Sequence, residues 1–403
     1  GYSDFVAEVK GALRAVDAAV VVLCAASGVE VETEKVWKYA LDLKLPRIAF
    51  VNKMDRENAD FDAVVEGMKS AFGSSIVPMQ LPIGSQEAFA GIVDIVKMKA
   101  VTYKAGKGTE ADIPADMQDA AELARQTMIE AAAEADDDVL AKYLEGEELT
   151  EEEIHAGLVK GISKGLFCPV FCGSSMKNIA IPELLEAIVQ YAPKAVDVVA
   201  EGCKPKTDEV VKRAATDPFS ALVFKTTADP FVGRLSFIRV FSGALKPDGM
   251  LYNSTKDKTE RIGHIFTMRG KTQDTITVAN AGDIVVVAKM AETGTGDTLC
   301  DKEKPVVYPA IAYPGQMFTM SLEPKNKGDE DKIGASLVRL ADEDPTLKFK
   351  KHPETSQLLV SGLGDLHLAI MGERLKRKFG VDVKLNDPKI AYRESIRTSV
   401  KVE

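Results

Sequence analysis

Histidine and cysteine are scarce in this sequence, and their scarcity closes off several chemistries. The four histidines (His155, His264, His352, His367) lie far apart and form no pair at ligand spacing, so a metal site built of protein ligands is not expected. The five cysteines (Cys24, Cys168, Cys172, Cys203, Cys300) are scattered. Cys168 and Cys172 flank Pro-Val-Phe without companions at zinc spacing, and they read as reduced core thiols. No apolar run approaches the roughly 20 residues that span a bilayer, and no signal peptide opens the sequence. A cytoplasmic protein with no membrane partner is expected. Positive charge is not in excess either: the formal net charge is −10 and the pI is about 5.2. Bulk electrostatics therefore does not draw the chain to nucleic acid, and an RNA partner would have to be met by local patches. There is no Gly-x-Ser-x-Gly elbow and no dinucleotide fingerprint, which removes the usual handles of a metabolic α/β enzyme.

What is present is an ordinary globular composition, 45% hydrophobic and 28% charged over 403 residues, enough for two to four domains. One stretch stands out. Ile48 to Val51 is a short apolar run that reads as a buried strand and stops on Asn52-Lys53-Met54-Asp55. The pattern Asn-Lys-x-Asp suits recognition of guanine. A fixed carboxylate at Asp55 can accept parallel hydrogen bonds from guanine N1–H and the exocyclic amine, whereas adenine would leave the charge unpaired. The Lys53 stem can lie over the base, and Asn52 can tie the loop to neighbouring backbone. The same four-letter pattern recurs at Asn326-Lys327-Gly328-Asp329, but in a charged loop with nothing to bury, where a solvated turn is expected. A guanine site also needs a backbone N–H aimed at O6. Gly173-Ser174-Ser175, again at a strand's end, is the natural supplier.

Taken in order, the chain begins with Gly1 and enters a helix with an N-cap expected at Ser3. It continues with a strand at Ala19 to Cys24, a helix at Thr33 to Leu43, the Ile48 to Val51 strand, and a helix with Phe61, Val64, Val65, Met68 and Phe72 inward. Strands alternating with helices imply a parallel sheet. Residues 76–155 break the rhythm as an insertion. It carries a long helix from Met117 to Ala135 and strongly acidic segments suited to a solvated face or to a basic partner. The α/β pattern resumes with a strand at Pro169 to Cys172. After a linker at 196–216 the period changes to two. Five strand-like runs (Ala221 to Thr226, Arg234 to Phe241, Met250 to Asn253, Glu260 to Phe266, Ile284 to Ala288) read as a β-barrel over 217–306. Residues 307–392 follow the β-α-β-β-α-β order of a ferredoxin-like unit, and 393–403 lead outward. The fold class expected is thus multidomain: α/β, then β, then α+β.

Several motifs together resemble the elongation factor G family of translational GTPases: Phe50-Val51-Asn52-Lys53-Met54-Asp55-Arg56, Val170-Phe171-Cys172-Gly173-Ser174, Gly282-Asp283-Ile284, Gly296-Asp297-Thr298-Leu299, Leu322-Glu323-Pro324-Lys325, Gly362-Leu363-Gly364-Asp365-Leu366-His367-Leu368 and Ala391-Tyr392-Arg393-Glu394-Ser395-Ile396. The resemblance covers nearly the whole chain. It implies a partial P-loop GTPase-type domain over 1–195, with GTP or GDP and Mg²⁺ as cofactors of the full-length protein. It further implies the ribosome (rRNA and ribosomal proteins) as partner, a stalk protein meeting the insertion, a monomeric state, and GTP hydrolysis promoting translocation. Asn52, Lys53, Met54, Asp55, Gly173, Ser174 and Ser175 would bind nucleotide.

Three departures accompany the resemblance. No Gly-x-x-x-x-Gly-Lys-Ser/Thr loop occurs: Gly270-Lys271-Thr272 has Ile265 where the first glycine belongs, and Gly106-Lys107 has Val101. Gly1 falls at the family's switch glycine, which places the phosphate loop upstream. Tyr2 stands where the family carries a water-positioning His, as in a divergent elongation-factor-G-like subgroup. The stretch reads as a fragment that is itself inactive, with no catalytic residue of its own. The alternative is a ribosome-protecting or regulatory GTPase without translocase activity.

Overall fold

The computed structural model describes residues 2–229, 233–270, 272–326, 328–395, 397–398 and 401. Gly1 and Lys327, singled out above, lie outside the described residues, as does Ile396. The chain forms two compact units, residues 16–198 and residues 1–15 with 199–403. The first helix, α1 (Val6–Leu13), belongs to the latter.

In the 16–198 unit, β1 (Ala19–Cys24), α2 (Val31–Asp42), β2 (Arg47–Asn52), α3 (Phe61–Phe72) and β3 (Ile76–Pro78) alternate. Then come β4 (Gln80–Ile83), β5 (Gly91–Asp94), β6 (Lys99–Lys104) and β7 (Lys107–Ala111). Helices α4 (Gln118–Ala133), α5 (Asp137–Leu144) and α6 (Glu151–Ser163) precede β8 (Cys168–Cys172) and α7 (Ile181–Tyr191). The parallel sheet runs β1-β2-β8-β3, and β4 to β7 form a separate antiparallel sheet.

The run Ile48 to Val51 is unbroken because both of its faces are covered. Ala49 and Val51 enter one core with Phe61, Val64, Val65 and Met68 of α3. Ile48 and Phe50 enter the other with Met128, Leu158, Ile162 and Leu184. Burial of each large side chain contributes about 1.5–3 kcal/mol. The α3 start is set by Asp60, whose carboxylate accepts the Ala63 N–H at 3.0 Å.

Two sequence expectations change in this unit. Ile76 to Pro78, placed in the insertion, pairs with β8 in the main sheet; three residues are too few to show a period. The helix expected to reach Ala135 ends at Ala133, and Asp136 accepts the Asp138 N–H to start α5. Residues 1–15, read from sequence with the α/β domain, have their contacts among residues 199–403. There Lys225 Nζ meets Glu8 at 2.7 Å and Lys10 Nζ donates to the Ala312 carbonyl.

The other unit opens its long portion with a hairpin, β9 (Ala200–Cys203) and β10 (Val210–Arg213), inside the stretch expected as a linker. Beyond it lie β11 (Ser220–Asp229), β12 (Gly233–Ser242), β13 (Ala244–Leu245), β14 (Met250–Asn253), β15 (Lys258–Arg261) and β16 (Ile265–Arg269). They are followed by β17 (Thr272–Ile276), β18 (Ala279–Asn280), β19 (Ile284–Ala288) and β20 (Thr298–Cys300). Eight of these form one antiparallel sheet ordered β15-β14-β20-β11-β12-β19-β16-β17, and β13 pairs with β18. The run Glu260 to Phe266, expected as one strand, splits at 262–264 into β15 and β16, while β17 and β20 were not anticipated.

The last portion is β21 (Phe318–Pro324), α8 (Glu330–Glu343), β22 (Lys348–Lys351), β23 (Leu358–Gly362), α9 (Asp365–Phe379) and β24 (Val383–Asn386), with sheet order β22-β23-β21-β24. Leu337, Leu340, Leu368, Met371 and Leu375 from its helices bury against Leu322 and Val360 of the sheet.

The cap of the first turn, Ser3–Phe5, is Tyr2, without a side-chain bond, and Ser3 lies inside the turn. Asp4 accepts the His367 N–H at 3.1 Å, at the start of α9. His367 Nδ1 accepts the Leu363 N–H, so Nε2 carries the proton and donates to Asp344 Oδ2 at 2.7 Å. Burial alone would raise the Asp344 pKa, but donation from His367 and Thr346 outweighs it and holds the carboxyl below its ordinary value. A carboxylate depressed in the folded state contributes stability that is present above its unfolded value, near pH 4, and lost as pH falls through the folded value. The urea midpoint of the wild type should therefore drop steeply below about pH 4. Asp344→Asn should cost about 1–3 kcal/mol at neutral pH and flatten that acid slope. An unchanged slope in the variant contradicts the assignment.

Candidate functional site

The carboxyl ends of β2 and β8 lie side by side, Val51 opposite Cys172. This is the edge at which open α/β sheets hold ligands. Two loops leave it, Asn52 to Asp55 and Gly173 to Ile179. Asn52 clasps Ser175 with both ends of its amide: Nδ2 donates to Ser175 Oγ at 3.0 Å, and Oδ1 accepts the Ser175 N–H at 3.0 Å. The same Oδ1 accepts the Lys53 N–H at 2.8 Å. The Met54 N–H donates to the Gly173 carbonyl, and the Gly173 N–H to the Val51 carbonyl. Lys53 takes φ +65°, a left-handed conformation that costs a non-glycine residue about 1–3 kcal/mol and persists only where the surroundings fix it. The hydrogen bonds just described fix it here.

Gly173 has to be glycine. A Cβ there would stand 2.5 Å from the Ile179 carbonyl oxygen and 3.0 Å from the Phe50 ring. Ser174 is buried, exchanges main-chain hydrogen bonds with Ile179 in both directions, and its Oγ accepts the Lys177 N–H.

Asp55 is the group left over. Its side chain is 16% exposed, and among the described residues no hydrogen bond reaches the carboxylate. The nearest cation is Lys177 Nζ at 3.9 Å. A mostly buried carboxylate without donors at a strand's end fits a ligand edge that brings two N–H groups. Met54 was grouped with the nucleotide contacts from sequence. Its side chain is fully buried among Val51, Ala59 and Phe61, so only its main chain belongs to the loop.

Cys24, opposite Asn52 across β1 and β2, borders this site. Partial burial works against ionisation of its thiol. The Ala26 and Ser27 donors and the Lys53 charge outweigh that effect, so its pKa falls below the ordinary thiol value.

The structure thus brings together Asn52, Lys53, Asp55, Gly173, Ser174 and Ser175. Tyr2 belongs to the other unit and is 74% exposed. Sequence reading missed Lys177 and also Gln86, whose N–H donates to the Met54 carbonyl at 2.9 Å. Lys177 was discoverable by its position two residues past Ser175, whereas nothing in the sequence marks Gln86. The second Asn-Lys-x-Asp pattern ends at Asp329, just before α8, with Asn326 exposed.

The elongation factor Tu GTP binding domain matches residues 1–194, elongation factor G domain 2 matches residues 218–302, and elongation factor G domain III matches residues 313–387. A crystal structure of a Thermus thermophilus protein superposes with a TM-score of 0.85 at 34% sequence identity. The match covers 97% of this chain and 56% of that one, so the chain spans a little over half of its structural relative. Three consecutive domain matches, in the order in which the units follow along the sequence, carry the assignment: the chain belongs to the elongation factor G family of translational GTPases.

Proposed function

We propose that the loops Asn52 to Asp55 and Gly173 to Ser175 read the guanine of GTP and GDP in the full-length protein. The observation that carries this reading is the donor-free Asp55 carboxylate. Asn52, Lys53, Asp55 and the Gly173–Ser175 main chain would hold the base, while bound Mg²⁺ would neutralise phosphate charge. Asn52 acts by locking the two loops together, and Lys53 by covering the base with its stem.

The wider role is GTP hydrolysis on the ribosome during translation elongation, promoting translocation. The domain reading that goes with it is a GTPase-type α/β domain with an insertion, a translation-factor barrel and a ferredoxin-like unit. The acidic helices α5 and α6 of the insertion suit a basic or stalk-protein partner. The full-length protein should pellet with ribosomes in a non-hydrolysable GTP analogue and remain in the supernatant with GDP. Failure to pellet in either state overturns the ribosomal role.

A ribosome-protecting or regulatory role is the second reading, favoured by Tyr2 in place of the family's His. It predicts ribosome-stimulated hydrolysis without movement of tRNA.

A further inference from the structure

Both base loops are braced by the small antiparallel sheet, β4 to β7, inserted between β3 and β8. The Gln86 N–H, from the loop between β4 and β5, holds the Met54 carbonyl at 2.9 Å. Asn178 Nδ2 donates to the Gly106 carbonyl, in the turn between β6 and β7, at 3.4 Å. The third brace is Tyr103 on β6. Its hydroxyl donates to the Glu183 carboxylate, in the first turn of α7, and its ring packs against the core that holds Ile179 and Ala180.

Ala180 closes the second base loop. It is fully buried and holds φ +60°, a left-handed conformation that a non-glycine residue keeps only under constraint. Its neighbour Ile179 exchanges both main-chain bonds with Ser174. A phenol that holds Glu183, three residues past Ala180, and packs on the core under that turn therefore bears on where the Gly173 to Ser175 N–H groups point. Burial, with the Glu183 hydrogen bond and charge adding to it, pushes the phenol pKa well above its ordinary range. The donor consequently stays protonated at every physiological pH. The same insertion sheet packs apolar residues, Phe89, Ile92 and Val101, into the core that contains Met54, Ile179 and Ala180.

We propose that Tyr103 is a positioning residue for guanine recognition, acting through its bond to Glu183 and its packing under the Ala180 turn on the Gly173–Ser175 loop, so that the insertion sheet sets how long a guanine nucleotide stays bound. The proposal rests on the base reading above. The contact joins residues 80 positions apart, on the insertion and on the helix that follows the site.

The test uses the full-length protein and stopped-flow release of a fluorescent GDP. Tyr103→Phe keeps the ring and removes the hydrogen bond to Glu183. Release should quicken about tenfold, the effect of losing one hydrogen bond to a charged group, with association within twofold. The preference for GDP over IDP, which lacks the 2-amine, should fall because the loop no longer fixes the base against Asp55. Glu183→Gln keeps an acceptor for the phenol and should restore near-normal release, whereas Glu183→Ala should resemble Tyr103→Phe. Release within twofold of wild type in a folded Tyr103→Phe protein overturns the proposal. So does an equal loss of GDP and IDP accompanied by a lowered melting temperature, which marks a purely structural contact. Asp55→Asn is run alongside. If it leaves base preference unchanged, the base reading fails and takes this proposal with it. A normal Asp55→Asn response with an unresponsive Tyr103→Phe overturns this proposal alone.

Discussion

Asp55→Asn should convert the full-length protein from a guanine to a xanthine nucleotide binder. In the wild type two donors from guanine meet one ionised carboxylate. Hydrogen bonds to a charged group contribute about 1.5–3 kcal/mol each, so losing the pair costs about 3–6 kcal/mol, or roughly 10²–10⁴ in affinity. An asparagine amide offers one acceptor and one donor, which suits the carbonyl that xanthine carries in place of the 2-amine. The carboxylate is well placed for the effect. It is mostly buried, lacks any hydrogen-bond donor among the described residues, and has Lys177 only at 3.9 Å. A partly exposed pair at that distance is worth little, about 0–1 kcal/mol, so Lys177 cannot substitute for a lost base contact. The change should leave the fold untouched, because among the described residues Asp55 supports no other side chain or main chain through a carboxylate hydrogen bond.

Met54→Ala should produce the opposite result, a large loss of stability. The side chain is fully buried in the core shared by Val51, Ala59 and Phe61. Truncating a buried Met removes transfer energy and leaves a cavity, at about 2–5 kcal/mol. That is a large share of the stability of a typical domain, about 5–15 kcal/mol. The Met54 main chain also carries the Gly173 and Gln86 bonds, so the cavity lies directly under the base loop. Met54→Leu keeps the volume and should cost less than about 1.5 kcal/mol. Urea unfolding of the two variants separates the cases. Equal midpoints for Met54→Ala and wild type would contradict the packing described.

The elements legible in sequence were those with a strong pattern. β2 was visible because a strand buried on both faces is continuously apolar, and its motif because the apolar run stops on four residues of a recognisable pattern. The α3 stripe of Phe61, Val64, Val65 and Met68 has the helical period. Elements without such a pattern were lost. β17 (Thr272–Ile276) is an edge strand that is almost wholly exposed and shows no alternation. β9 and β10 are short four-residue strands with little apolar patterning, so their hairpin looked like a linker. In the candidate site, residue identity is what singles out Asn52, Asp55 and Gly173, because each proposed role needs that residue type. It could not foretell long-range partners. Asp4 meets the His367 N–H from 363 positions away, and Tyr103 meets Glu183 from 80. Nor could it show that Met54 turns inward, since the third letter of the motif is free.

The most direct measurement is a competition titration of GDP against XDP on full-length wild type and Asp55→Asn. Wild type should prefer GDP by about 10²-fold or more, and the variant should prefer XDP. The same GDP preference in both proteins would contradict the assignment of Asp55, and with it the guanine-reading site.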